Sequence, residues 1–249
     1  MAFAEGSNAW NERGIYTGIE VRATRQWTLN AYFDQYRSPW LRYQTDAPSN
    51  GYDMLAQLTY KPTKTIEIYG RVRHRTNQRN AEGIDEGIDP LVNVQQTNYR
   101  LNASYKVSKS VSLRTRAEAV DFQRGASPLE HGFLLYQDIV HRPLRSPVEL
   151  TFRVALFQTD SYDARVYAYE NDLIGLFTIP PYYGRGMRWY AMARFTPVRR
   201  VDVWVRYAAW LWNGQDRYSS GLSEIDGSGD PATGQVTRSD LKVQVRWKF

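Results

Sequence analysis

The sequence predicts an all-β chain, a transmembrane antiparallel up-and-down β-barrel of about 11–12 strands, and three observations carry that expectation. Segments of roughly 9 to 12 residues alternate apolar and polar side chains, the period of a strand with two unlike faces. Short polar turns and long loops rich in Gly, Pro, Asn and Asp follow one another along the chain, as in barrels with tight turns at one rim and long loops at the other. The apolar residue nearest each short turn is aromatic, which is what a membrane interface selects.

In order, IYTGIEVRA (15–23) and WTLNAYFD (27–34) form the first pair, joined through Thr24, Arg25 and Gln26. YDMLAQLTY (52–60) and TIEIYGRVRH (65–74) join through KPTK, and YRLNASYKV (99–107) and VSLRTRAEAVDF (111–122) through SKS. HGFLLYQDIV (131–140) alternates poorly and leads across HRPLRSP to VELTFRVALF (148–157). MRWYAMARF (187–195) and VDVWVRYAAWLW (201–212) join through TPVRR, and LKVQVRWKF (241–249) closes the sequence. Residues 37–51, 76–94, 158–186 and 213–236 read as external loops, presenting Trp40, Tyr43, Tyr182, Tyr183 and Tyr218. The chain reads as one domain over 1–249, with 1–13 a loop or incomplete strand. An odd strand count is reconciled either by earlier strands outside this sequence or by a further crossing at ARVYAYE (164–170).

Composition narrows the class. Of 249 residues, 14% are aromatic and 23% charged, and the mean hydropathy is −0.58. That combination suits alternating strands, and no apolar run approaches the ~18 residues of a transmembrane helix. Cysteine is absent, so disulfides and thiolate metal sites are excluded. The opening MAFAEGSNAW lacks the basic and apolar regions of a signal peptide, which is expected if the segment was removed or the chain begins partway through a longer protein. Net charge is +6, but the basic residues occupy alternate strand positions and form no block, which argues against a nucleic-acid partner.

Parity assigns the faces. A periplasmic girdle is expected from Trp27, Tyr60, Tyr105, Phe195 and Trp247, at the end of the barrel that carries the short turns. The last strand, with Leu241, Val243, Val245, Trp247 and Phe249 on one face, has the pattern of an insertion signal for the barrel-assembly machinery. Inward, Arg71, Arg73, Arg100, Arg114 and Arg116 lie on three consecutive strands and form a basic wall, with Glu67 and Glu118 as partial counter-charges. Water beside such a wall favours anions, whereas a charge ladder that merely fills the interior conducts nothing. Tyr190, Trp204, Trp210 and Trp212 also point inward, where large rings can hold a ligand or obstruct the bore.

Catalytic and metal chemistry find little support. His74, His131 and His141 show no metal-ligand spacing. A lipid-modifying enzyme would use a Ser–His pair at the external rim of the lipid face; His74 is the candidate position, and an interfacial imidazole is the plainer reading. The strings GRG (184–186) and GSGDPATG (227–234) lack the following helix of a phosphate loop, and Glu82, Asp85, Glu86 and Asp89 do not have EF-hand spacing. No cofactor is implied, and the expected contacts are the lipid bilayer, lipopolysaccharide, the assembly machinery and other outer-membrane or periplasmic proteins.

Residues 31–76 and 162–208, including the strings YENDL and IPPYYGRG, resemble the C-terminal barrel region of Bacteroidota outer-membrane proteins that carry a helix-hairpin-helix domain. The resemblance implies a Gram-negative outer-membrane barrel that follows a small periplasmic helical module. It implies no catalytic residue. The function expected is a structural or partner-binding component of an outer-membrane assembly, with an anion-leaning pore or uptake channel as the alternative and a lipid-modifying enzyme third.

Overall fold

A computed structural model describes residues 12–81, 89–214, 217–218, 225–226 and 235–248. Eleven long strands form one antiparallel sheet in which sequence neighbours are spatial neighbours: β1 (Arg13–Val21), β2 (Trp27–Ser38), β3 (Ser49–Thr63), β4 (Ile66–Asn80), β5 (Leu91–Lys106), β6 (Val111–Arg124), β7 (Glu130–His141), β8 (Val148–Thr159), β11 (Arg185–Val198), β12 (Val201–Asn213) and β15 (Gln235–Trp247). The short pieces β9 (Val166–Tyr167) and β10 (Pro181–Tyr182) pair with each other, as do β13 (Arg217–Tyr218) and β14 (Ile225–Asp226). The fold is therefore the up-and-down β-barrel wall expected, as a sheet that does not close: among the described residues β1 bonds only β2 and β15 only β12.

Several strands run longer than their alternation indicated, because hydrogen bonding continues past the point where the apolar pattern stops. β3 and β4 extend to Thr63 and Asn80, and the KPTK turn is absorbed by a register shift between Tyr60 and Thr63. A second shift lies between Phe195 and Val198 at the same rim. Bulges concentrate at barrel rims because they bend the strand and end its pairing.

The faces separate as parity requires. Leu29, Phe33, Ile68, Val72, Leu101, Leu150, Phe152, Leu156 and Val205 are exposed on the convex side. Glu118, Asp138, Arg153, Arg188, Asp202 and Arg206 are buried on the concave side. A sandwich would reverse this, hiding the leucines and hydrating the arginines. Trp27 and Tyr60 are directly opposite in register and stack at 4.4 Å between centroids, and Tyr105, Phe195 and Trp247 share their outward orientation and their rim. Leu241, Val243 and Val245 also point outward on β15, while Phe249 lies outside the described residues.

One expectation fails. Residues 160–184 are no external excursion, and 164–170 is no additional crossing of the wall. The segment folds back beneath the sheet, and only its two-residue β9 and β10 pieces are strand. Strands β6, β7, β8, β12 and β15 curve around it, so that Val120, Leu134, Tyr136, Ala155, Phe157, Trp210, Trp212 and Val236 form one apolar cluster with Val166, Ala168 and Tyr182.

Candidate functional site

The strap of residues 160–184 enters and leaves at the long-loop rim. There Asp160 N donates to His131 O (2.9 Å), His131 N donates to Asp160 Oδ2 (2.8 Å), and Thr159 N donates to Gly184 O (2.7 Å). It passes so close to β7 that a Cβ on Gly132 would lie 1.9 Å from Ala164 O. Its apolar residues explain the poor alternation of β7: Leu134 and Tyr136 face inward because Val166 and Ala168 cover them, and no water reaches that patch.

Glu170 is the strap's anchor. Its carboxylate accepts Arg188 Nε (2.5 Å) and Nη2 (2.8 Å), Arg206 Nη2 (2.5 Å) and the Tyr182 hydroxyl (2.7 Å), and none of its surface reaches solvent. Burial alone would push this carboxyl up. The bonds from Arg188 and Tyr182 and the nearby charge of Arg206 outweigh burial, so Glu170 sits below the ordinary glutamate range. Burial, and then Glu170, push the Tyr182 hydroxyl well up, which keeps it a donor.

The surrounding wall residues also hold the strap. Arg153 donates Nη1 to Tyr169 O (2.7 Å) while its Nε and Nη2 grip Asp138, and its guanidinium lies 3.9 Å from the Tyr136 ring centroid. Arg206 Nε donates to Asn171 O (3.2 Å), and Asn171 N donates to the Tyr190 hydroxyl (3.2 Å). Farther along, Lys242 Nζ reaches Asp172 Oδ2 (2.6 Å) and Gln244 Nε2 reaches Ile174 O (3.1 Å). Both partners lie on β15 towards the short-turn rim, so the strap descends through much of the barrel. It turns at Gly175, whose φ of +81° suits glycine, and exposes Ile174, Leu176, Phe177 and Ile179.

The lumen aromatics lie as expected, and their surroundings decide their role. Trp210 and Trp212 stack at 5.0 Å and 9°, Trp210 meets Tyr182 at 5.2 Å, and Trp212 Nε1 donates to Tyr183 O. Tyr190 carries Arg206 at 4.6 Å, and Trp204 carries Arg194 and Arg246 at 5.4 and 5.2 Å. Tyr190, Trp210 and Trp212 line no open ligand cleft; they pack under the strap. Tyr182 is likewise buried within the barrel, contrary to its expected place on an external loop. Trp40 and Tyr43 are exposed between β2 and β3 as expected, whereas the side chain of Tyr218 lies outside the described residues.

The basic wall is assembled on β4, β5 and β6. Arg71 and Arg100 are directly opposite, as are Arg100 and Glu118. Arg100 gives Nε (2.7 Å) and Nη2 (2.8 Å) to Glu118, and Arg73 is paired with buried Asp53. Arg116 lies 5.2 Å from the Tyr136 ring. Arg114 lines a cavity of about 430 Å³ with Lys61, Lys106, Arg142, Glu67 and Asp138. Among the described residues, Arg71, Arg114 and Arg116 hydrogen-bond no carboxylate. Glu67 serves Lys61 at 2.7 Å.

On the outer face His74 sits past Val72, where the apolar band gives way to polar groups. Its ring shares hydrogen bonds with Thr97 Oγ1 (2.8 Å), Thr76 Oγ1 (3.1 Å) and the Tyr52 hydroxyl (3.3 Å). Both ring nitrogens are thereby occupied. Among the described residues no group of three or more His, Asp or Glu side chains is placed to hold a metal ion.

No family model and no curated protein matches the chain. Among solved structures, the copper transporter OprC is similar over 94% of this chain, at 12% identity and a TM-score of 0.48, and the chain spans 41% of that structure's length.

Proposed function

We propose that this chain is a portion of an integral outer-membrane β-barrel of a Gram-negative bacterium, acting as a structural or partner-binding component of an outer-membrane assembly. The observation that carries the role is the strap bound across the interior through buried Glu170, Arg188 and Arg206. An inner segment fastened by buried ion pairs obstructs the bore, which favours a scaffold over a continuously open passage. Removing one member of such a network typically costs about 3–5 kcal/mol.

Membrane placement rests on the convex face. On β4, Ile66, Ile68, Gly70 and Val72 precede His74. Eight steps of about 3.3 Å, tilted by roughly 40°, give ~20 Å of height, comparable to the ~25 Å apolar band of outer-membrane barrels. The ring-bearing rim then faces the periplasm, the rim with Trp40 and Tyr43 faces lipopolysaccharide, and the outward Leu241–Trp247 pattern is offered to the barrel-assembly machinery. The resemblance to Bacteroidota helix-hairpin-helix barrels agrees with this reading.

The second reading, an anion-leaning pore, is favoured by Arg71, Arg114 and Arg116, which face inward without carboxylate partners. Planar-bilayer recording on the purified protein separates the two. The scaffold reading expects a silent bilayer, and a steady current reversing toward the anion potential would replace it with the pore.

A further inference from the structure

Arg71, Arg73, Arg75 and Arg100 on the wall, together with Gln96, Asn98 and Glu118, face Asp163, Arg165 and Tyr167 on the strap across a cavity of about 250 Å³. We propose that this chamber binds a soluble multivalent oxyanion, a molecule carrying two or more phosphate, sulfate or carboxylate groups. The proposal rests on the reading that the concave face is a hydrated lumen, and it adds a ligand class that neither the scaffold nor the pore requires.

Charge balance argues first. Among the described residues Asp53 pairs with Arg73, Glu118 with Arg100 and Asp163 with Arg165. Arg71 has no such partner. It stands between Gln57 on one neighbouring strand and Arg100 on the other, and like charges directly opposite in a sheet destabilise it. An inert filling of the barrel would place an acid there, as it does at Arg153 and Arg188. A local rule broken with only one shared carboxylate in compensation marks a candidate functional position.

Preorganisation argues second. Arg165 comes from the strap, not the wall, and is fixed before any ligand arrives. Its Nε donates to the Tyr167 hydroxyl (2.7 Å), its Nη1 donates to Tyr162 O (2.7 Å), and the guanidinium lies 4.2 Å from the Tyr162 ring centroid. Guanidinium groups bind oxyanions in two-pronged fashion, and arginines already held in place lose less freedom on binding. Cross-strand neighbours are ~5 Å apart and same-face neighbours on one strand ~6.6 Å, so the cations are spread too widely for one small monoanion. Two linked anionic groups can bridge the wall and the strap. Gln96 and Asn98 add neutral amides to the lining.

Calorimetric titration of the folded chain in zwitterionic micelles with sodium pyrophosphate tests the site. Saturable binding is expected, weakened at least tenfold by Arg71→Gln and by Arg165→Gln and unchanged by Arg22→Gln, whose parent side chain is exposed and pairs with Glu20. Absence of saturable binding by protein with native strand circular dichroism would overturn the proposal, as would equal affinity of the Arg71→Gln variant. Displacement of pyrophosphate by phosphatidylglycerol added to the micelles would assign the arginines to a lipid headgroup and also overturn it. The outcome separates from that of the pore. A silent bilayer with pyrophosphate binding retained supports the site without a channel, and an anion current without pyrophosphate binding removes the site while leaving the channel.

Discussion

Arg206 Nη2 on β12 donates to Glu170 Oε2 on the strap at 2.5 Å, and neither side chain has appreciable contact with solvent. This bond joins a wall strand to a segment 36 residues earlier in the sequence, and Arg188 on β11 completes the clamp from the neighbouring strand.

Removing the Glu170 carboxylate leaves buried Arg188 without its carboxylate partner and leaves Arg206 only the longer contacts to Asp240 (3.4 Å) and Asp172 (3.8 Å). Glu170→Ala is expected to destabilise strap docking by roughly 3–5 kcal/mol and Glu170→Gln by less. Limited proteolysis should then cut within 160–184 while the wall strands stay protected. Equal protease resistance in the variant would show that the ion pairs do not hold the strap.

The pH dependence follows from the same group. Glu170 titrates below its ordinary value of 4.5 in the folded protein, so its stabilisation is fully present above that value and is lost as pH falls through the lower, folded value. Protection of the strap amides, after correction for the pH dependence of intrinsic exchange, should therefore be flat between pH 7 and about 5 and fall only in stronger acid. A loss of protection near neutrality would point to a different clamp.

Gly132 makes room for the strap. Gly132→Ala would put a methyl 1.9 Å from Ala164 O, a clash that one of two backbones must relieve. Overpacking of this kind costs about 1–3 kcal/mol, and the loss should appear as a lower unfolding midpoint together with faster exchange around 162–168.

Depth on the outer face is measurable too. Leu101 lies between the ring of Tyr105 and polar Thr97, so Leu101→Arg should cost ~2–4 kcal/mol of folding free energy in bilayers, and Thr97→Arg about 0–1. Equal costs would deny an apolar slab at that height.

The wall was legible because strand periodicity and turn length are local properties: Leu101, Arg100 and Trp27 could be assigned faces without knowing their neighbours. The strap was not legible, because ARVYAYENDL reads equally well as crossing or loop until its partners are known, and those partners are spread over β7, β8, β11, β12 and β15. Two signals nonetheless point to it. HGFLLYQDIV places Leu134 and Tyr136 on the concave face, where water would not welcome them, and Trp210 and Trp212 share that side. A concave face bearing apolar residues needs something inside the barrel to cover it. The basic wall could be read from parity, whereas the lack of an acid beside Arg71 required the register of β3, β4 and β5.

The central claim is that lipid covers the convex face and water the concave one. The sequence contains no cysteine, so single thiols can be introduced one at a time. Fluorophores at Val72→Cys, Leu101→Cys and Phe152→Cys, in protein reconstituted into liposomes, are expected to be quenched by nitroxides on lipid acyl chains and spared by aqueous iodide. Arg71→Cys should show the reverse. Iodide quenching at the three convex positions, with acyl-chain nitroxides silent, would contradict the account.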